Sequence, residues 1–355
     1  MSQDLLALTA ELVDIASESF EEGPLVERIE AELRGHAHLG IERVGDNVVA
    51  RTELGRRHRV VLGGHTDTVP ANGNARARVE GDTLWGVGSA DMKGGLAVML
   101  ELARAHRDPP VDLSYVFYAR EEVAAEHSGL EELVQLRPDL LVGDVAILGE
   151  PTGGDVEAGC QGSVRVRITL RGERSHTARA WMGRNAVHRL GALLSALDAY
   201  EPRQPVIDGC AYHEALLATS VEGGVAGNVV PDEATVVVAH RFAPDRDASE
   251  AEAHLRSVLA PFLEPDDTVE VTDVANAAMP AVEHPFVAGM IERDRLEVRA
   301  KLGWTDVARF AALGVPAVNL GPGDATLAHT AGEFVTRESI EKSCRVLDSA
   351  IRAGF

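Results

Sequence analysis

Over residues 1–150, hydrophobic positions fall alternately into short solid runs and longer stretches with a helical period. RVVLGG (59–64), LSYVFYA (113–119) and VAILGE (145–150) are apolar almost throughout and bounded by turn residues, as expected of strands buried on both faces. KGGLAVMLELARAH (93–106) instead has the spacing of a helix, and the N-terminal MSQDLLALTAELVDIAS reads as an amphipathic one. The alternation predicts an α/β fold, a mostly parallel sheet with helices on its faces. In such sheets ligands bind beyond the carboxyl ends of the strands.

Around Gly162 the texture changes. VRVRITLRG (164–172) alternates apolar and charged residues, the pattern of a strand with one wet face. A helix at about 183–199, strands at LLATSVE (216–222) and ATVVVAHRF (234–242), a helix at about 248–260 and a strand at VEVTDV (269–274) follow. This β-α-β-β-α-β order resembles a ferredoxin-like insert. After Pro280 the first texture returns, with GVPAVNL (314–320) as a strand and 336–352 as a closing helix. The expectation is a discontinuous main domain, 1–161 and 275–355, interrupted by an α+β domain at 162–274. A chain of 355 residues is long enough to bury two cores.

Composition narrows the partners. A formal net charge of −22 would repel nucleic acid and anionic membrane alike. Cys160, Cys210 and Cys344 are sparse, odd in number and without CxxC pairing, which suggests a reducing compartment and neither a disulfide framework nor a cysteine zinc site. The N-terminal stretch lacks the basic region and cleavage site of a signal peptide, and no apolar run approaches membrane-spanning length. A soluble, cytoplasmic protein is expected.

The candidate chemistry lies where the strands end. GGHTDTVP places His65 and Asp67 after one strand, and GVGSADMKGG places Asp91 in a Gly-rich loop before a helix. YVFYAREE ends in Glu121 and Glu122, LGEPT carries Glu150, and TLAHT carries His329. Alone, each is more simply a turn or cap residue, and the Glu pair a solvated helix start. Together they make a ligand set of imidazoles and carboxylates, too many for one hydrolytic zinc but suited to two divalent ions sharing a carboxylate and a water. Residues two apart on one strand share a face, so Asp67 is expected to orient the His65 imidazole. Arg120, beside the Glu pair, has no evident role.

With HxDxVP, DMKGG, an EE pair, GEP and a late His in that order, the sequence resembles the zinc-dependent aminoacylase and carboxypeptidase-like metallopeptidase family over essentially its whole length. The resemblance implies a zinc-hydrolase catalytic domain with an inserted lid and dimerisation domain. It implies that Asp91 bridges two metal ions, that His65 and Glu150 complete one and Glu122 and His329 the other, and that Glu121 is the general base. Zinc is the expected metal, with cobalt as the alternative, and a cis peptide is expected after Asp91. A Glu at position 150 is typical of the family's deacylases and carboxypeptidases and favours N-acyl amino acid substrates. His176, in RGERSHTARAW, matches a histidine that hydrogen-bonds the reacting carbonyl oxygen and comes from the neighbouring subunit in dimeric relatives, so a homodimer is expected. Asn228, Arg241, Gly303 and Thr305 match positions that bind substrate carboxylates, and Arg179, Arg184, Lys301 and Arg309 are candidates for added positive potential. The expected activity is amide hydrolysis of a small N-acyl amino acid. The other class of reading is a non-catalytic amino acid-binding protein on the same scaffold.

Overall fold

The solid apolar runs form the middle of an eight-stranded sheet in the computed structural model, which describes residues 4–355. In spatial order its strands are Gly40–Val44, Asn47–Arg51, Asp112–Tyr118, Arg59–His65, Val145–Leu148, Ala317–Asn319, Val156–Ala158 and Val298–Ala300. The pairings among Asp112–Tyr118, Arg59–His65, Val145–Leu148 and Ala317–Asn319 are parallel. His65 lies opposite Tyr118, and Gly63 opposite Leu148, so the parallel strands end close to one level. The N-terminal helix runs over Leu5–Val13, with the Asp4 carboxylate accepting from the Leu6 and Ala7 N–H groups. Met1–Gln3 of that predicted stretch lie outside the described residues.

Helix Gly94–Ala105 is apolar on nearly every side because it is buried on nearly every side, from Gly94 to Ala103. Each large apolar side chain there contributes roughly 1.5–3 kcal/mol of burial. Its first turn needs glycine. A Cβ on Gly95 would stand 2.3 Å from the Gly149 carbonyl oxygen, and one on Gly321 would stand 2.1 Å from the same atom. Three main-chain segments therefore meet at the end of the Val145–Leu148 strand. The closing helix, Arg337–Ala353, is capped by Thr336, whose hydroxyl accepts from the Ser339 N–H.

The chain divides into two compact units. One is Met1–Gly159, Pro280–Arg299 and Asp306–Phe355; the other is Cys160–Met279 with the short return Ala300–Thr305. The second unit is built on an antiparallel sheet in the order Ala215–Gly223, Glu233–Phe242, Gly162–Arg171, Thr268–Ala275. Val164, Val166, Ile168 and Leu170 point into a core shared with Leu190 and Leu193 of helix Ala186–Asp198 and Leu255 of helix Ala248–Leu259. The charged residues between them, Arg165, Arg167 and Arg171, face out. Helix starts follow capping chemistry. Asn185 accepts from the His188 N–H, which sets the start at Ala186 rather than at 183, and Asp247 with Glu250 forms a reciprocal capping box. All three cysteines are buried and outside any disulfide. Among the described residues no helix is long and apolar enough to cross a membrane.

Candidate metal centre

The carboxyl ends of the parallel strands carry most of the expected site. His65 ends its strand, Glu121 and Glu122 follow Tyr118, Glu150 follows Leu148, and His329 lies in the loop after Ala317–Asn319. Asp91 comes from an irregular turn, Ser89–Lys93, ahead of helix Gly94–Ala105. The Asp91–Met92 peptide is cis. The Glu pair does not begin a helix. It occupies an open turn, and the next α-helix starts only at Gly129.

Asp91 stands between the two histidines. Its Oδ1 is 3.0 Å from His65 Nε2, and its Oδ2 is 3.8 Å from His329 Nε2. His329 Nε2 is also 2.8 Å from Glu122 Oε1. His65, Asp91 and Glu150 each offer a ligand atom, all within 4.8 Å of one another, and the same is true of Asp91, Glu122 and His329. Two donor sets thus share one carboxylate, with one oxygen turned toward each imidazole. Mixed imidazole and carboxylate donors at these separations fit two divalent ions such as zinc or cobalt. His65, Glu121 and Glu122 form a further close group, so Glu121 borders the sets without belonging to either of the two that contain Asp91.

The electrostatics also favour cations. Burial pushes the Glu121 carboxyl well above the usual range, opposed by His65 but reinforced by the like charges of Asp306, Glu150 and Glu122. Burial raises Glu122 as well. Burial alone would depress the His65 imidazole, yet hydrogen bonds to Asp67 and Asp91 hold it well above its ordinary value. Desolvation acts the same way on His329, and there Glu122 and Asp91 override it and raise it. Acids crowded in a low-dielectric site require compensating positive charge.

Asp67 meets the His65 imidazole as expected, but from a different place in the chain. The strand stops at His65, so the two residues do not share a strand face. The imidazole Nδ1 lies 3.0 Å from the Asp67 main-chain carbonyl oxygen and 3.5 Å from its Oδ1. The carboxylate accepts from the Ser19 hydroxyl at 2.7 Å, the Glu121 N–H at 2.9 Å and the Glu122 N–H at 3.1 Å. Burial would raise its pKa, but the His65 contact and these donors hold it at about 2. Asp67 thereby fixes an imidazole and the backbone of the acid pair together.

Arg120 now has a physical account. It sits at φ 59°, its N–H donates to Glu22, and its guanidinium donates to the His127 carbonyl and to Glu132. It braces the turn that presents Glu121 and Glu122. Sequence reasoning did not single out Ser19, Glu22, Asp306 or Glu333. Ser19 acts through its hydroxyl on Asp67, and the other three through main-chain amides or a buried charge, which residue type alone does not announce. The spacing of Glu333, four residues after His329, was the one available signal.

The remaining expected residues, Arg309 apart, belong to the second unit. His176 pairs across a short ladder with Val229, the Thr177 N–H donates to the Asn228 carbonyl, and the His176 Nδ1 accepts from the Ala178 N–H at 3.0 Å. Arg241 is half-buried on the Glu233–Phe242 strand. Gly303 and Thr305 lie on the Ala300–Thr305 return, where the Thr305 carbonyl accepts from the Cys160 thiol. Of the cations expected to add potential, Arg184 is paired with Glu264, and Arg309 with Glu131 and Asp306. Arg179 is exposed and Lys301 buried.

Comparison with known proteins follows the same lines. The model of peptidase family M20/M25/M40 matches residues 61–353. A protein of Mycobacterium tuberculosis that carries the provisional name succinyl-diaminopimelate desuccinylase DapE is 50% identical over 333 residues, covering 94% of this chain and 93% of its own. The succinyl-diaminopimelate desuccinylase of Corynebacterium glutamicum is 42% identical over 352 residues, covering 97% of this chain and 95% of its own. Among solved structures, a tripeptidase from Staphylococcus aureus superposes with a TM-score of 0.79 at 20% identity, covering 99% of this chain and 98% of that one.

Proposed function

This chain belongs to peptidase family M20/M25/M40, and from that premise we propose that it hydrolyses the amide bond of N-succinyl-LL-2,6-diaminopimelate to succinate and LL-2,6-diaminopimelate. The observation that carries the reading is Asp91 set between His65 and His329, with Glu121 beside the ligand sets, in a chain similar over nearly its full length to proteins of that name.

Two ions, zinc in this reading, would be held by His65, Asp91 and Glu150 and by Asp91, Glu122 and His329; they would polarise the scissile carbonyl and acidify a water. Glu121 takes the proton of the attacking water as its oxygen bonds the carbonyl carbon. The same carboxyl then delivers that proton to the amide nitrogen as the C–N bond breaks, which leaves a carboxylic acid and a free amine. Asp67 keeps the Glu121 and Glu122 backbone in place throughout.

His176 supplies a donor to the carbonyl oxygen as negative charge develops on it. Its Nδ1 already accepts an N–H, so the neutral ring carries its proton on Nε2, free to donate. The reading includes a homodimer in which His176 of one subunit serves the site of the other. Supporting this, the segment after His176 exposes Trp181 at 80% and Met182 at 61%, apolar surface of the kind that subunit interfaces cover.

The test is a direct assay of succinyl-diaminopimelate against acetylornithine with the zinc-loaded protein. The expected kcat/KM ratio is about 100-fold or more in favour of the succinylated substrate. A ratio in the other direction assigns the protein to another N-acyl amino acid deacylation.

A further inference from the structure

We infer that Glu333 is a positioning residue of the metal centre, a buried carboxylate that locks the Asp91 loop to the segment carrying His329. The inference rests on the two-ion reading of the site. Glu333 is 1% exposed. Its Oε1 accepts from the Ala90 N–H at 2.9 Å and from the N–H of Asp91 itself at 3.1 Å, and its Oε2 accepts from the Gly88 N–H at 3.1 Å. Its own carbonyl accepts from the Gly86 N–H at 3.2 Å.

These contacts fall where the loop has no regular structure to hold it. Asp91 is extended, at φ −119° and ψ 91°, and Gly88 is left-handed at φ 75° with no room for a Cβ beside Thr68. Amides of such a turn have no helical or sheet partner, and a buried amide left unpaired is costly. Three of them converge on one carboxylate. Glu333 is itself fixed, because Phe334–Thr336 pairs antiparallel with Thr83–Trp85, the strand that leads into the loop. The carboxylate therefore sets where the Asp91 side chain stands relative to His329, four residues upstream of Glu333.

A plain structural role would need only a folded protein, and the two are separable. Glu333→Gln keeps the volume but must turn an NH2 group toward at least one of the three N–H donors. The metal-free full chain is titrated with Co2+, reading affinity and the visible absorption of bound cobalt. Wild type, Glu333→Gln and Glu214→Gln are compared, the last removing a buried carboxylate of the second unit that accepts from the Ala243 N–H. Glu333→Gln is expected to weaken cobalt binding about tenfold or more and to change the absorption at saturation. Glu214→Gln is expected to lower the melting temperature and leave both unchanged.

Wild-type affinity and spectrum in Glu333→Gln would overturn the inference, as would an equal loss in Glu214→Gln. Absence of cobalt binding by the wild type would overturn the two-ion reading first and this inference with it. If Glu333→Gln does not fold, Glu333→Asp serves in its place. It keeps the charge but is one methylene too short for all three amides, and wild-type cobalt affinity in that variant overturns the inference equally.

Discussion

Glu121 and Glu122 are neighbours in sequence with separate surroundings. Glu122 Oε1 meets His329, while Glu121 is buried where the charges of Asp306 and Glu150 disfavour its own. Glu121→Ala is expected to cut turnover by about 10²–10⁴-fold while zinc analysis still finds two ions per chain. Loss of metal in that variant would make Glu121 a ligand, and undiminished turnover would remove it from the chemistry. Residue types made this part of the site legible, because imidazoles and carboxylates at strand ends announce metal chemistry by kind. Asp67 was legible only in part, since its carboxylate acts on two amides that no sequence displays. Apart from its spacing from His329, Glu333 was illegible for the same reason, and Arg120 because its partners, Glu22, the His127 carbonyl and Glu132, lie away from it in sequence.

At the scale of elements, the meeting of Gly95, Gly149 and Gly321 explains why the helix after Asp91 starts with two glycines. Gly95→Ala forces a Cβ against a main-chain oxygen that cannot rotate away, and is expected to destabilise the protein by about 1–3 kcal/mol. Gly191→Ala is the contrast. That position lies within helix Ala186–Asp198, with nothing inside 4 Å of a built Cβ, so alanine is expected to stabilise by about 0.5–1 kcal/mol. Thermal or denaturant unfolding of the metal-free proteins decides both, and the two changes should have opposite signs. Strands and helices were readable because their apolar periods differ. The GVPAVNL strand came out as only Ala317–Asn319, and helix ends moved to wherever Asn185 or Asp247 could cap them. Local hydrogen bonding sets such boundaries more finely than hydrophobic period does.

For the whole molecule, the change of texture near Gly162 marked the second unit, whereas the return of Ala300–Thr305 to it left no sign in the apolar pattern. The homodimer reading makes a sharp prediction. Inactive His176→Ala and inactive Glu121→Ala chains, mixed under conditions that exchange subunits, should recover a measurable fraction of wild-type activity. Proven heterodimers without recovery would place His176 in the site of its own chain or outside the chemistry. A chain of net charge −22 must also bring an anionic substrate to an acidic pocket, so activity should depend on local cations rather than on the field of the whole.

The order of strands in the large sheet has a consequence for how the protein is made. Ala317–Asn319 sits between Val145–Leu148 and Val156–Ala158, and the Thr83–Trp85 hairpin waits for Phe334–Thr336. A ribosome adding about 5–20 residues per second must work for roughly 10–30 s after Leu148 before that gap is filled. Until then the nascent chain carries an open, apolar strand edge while Cys160–Met279 is already complete enough to collapse. The inserted unit is thus born inside an unfinished one, and the chain's exposure to misassembly is concentrated in that interval of synthesis.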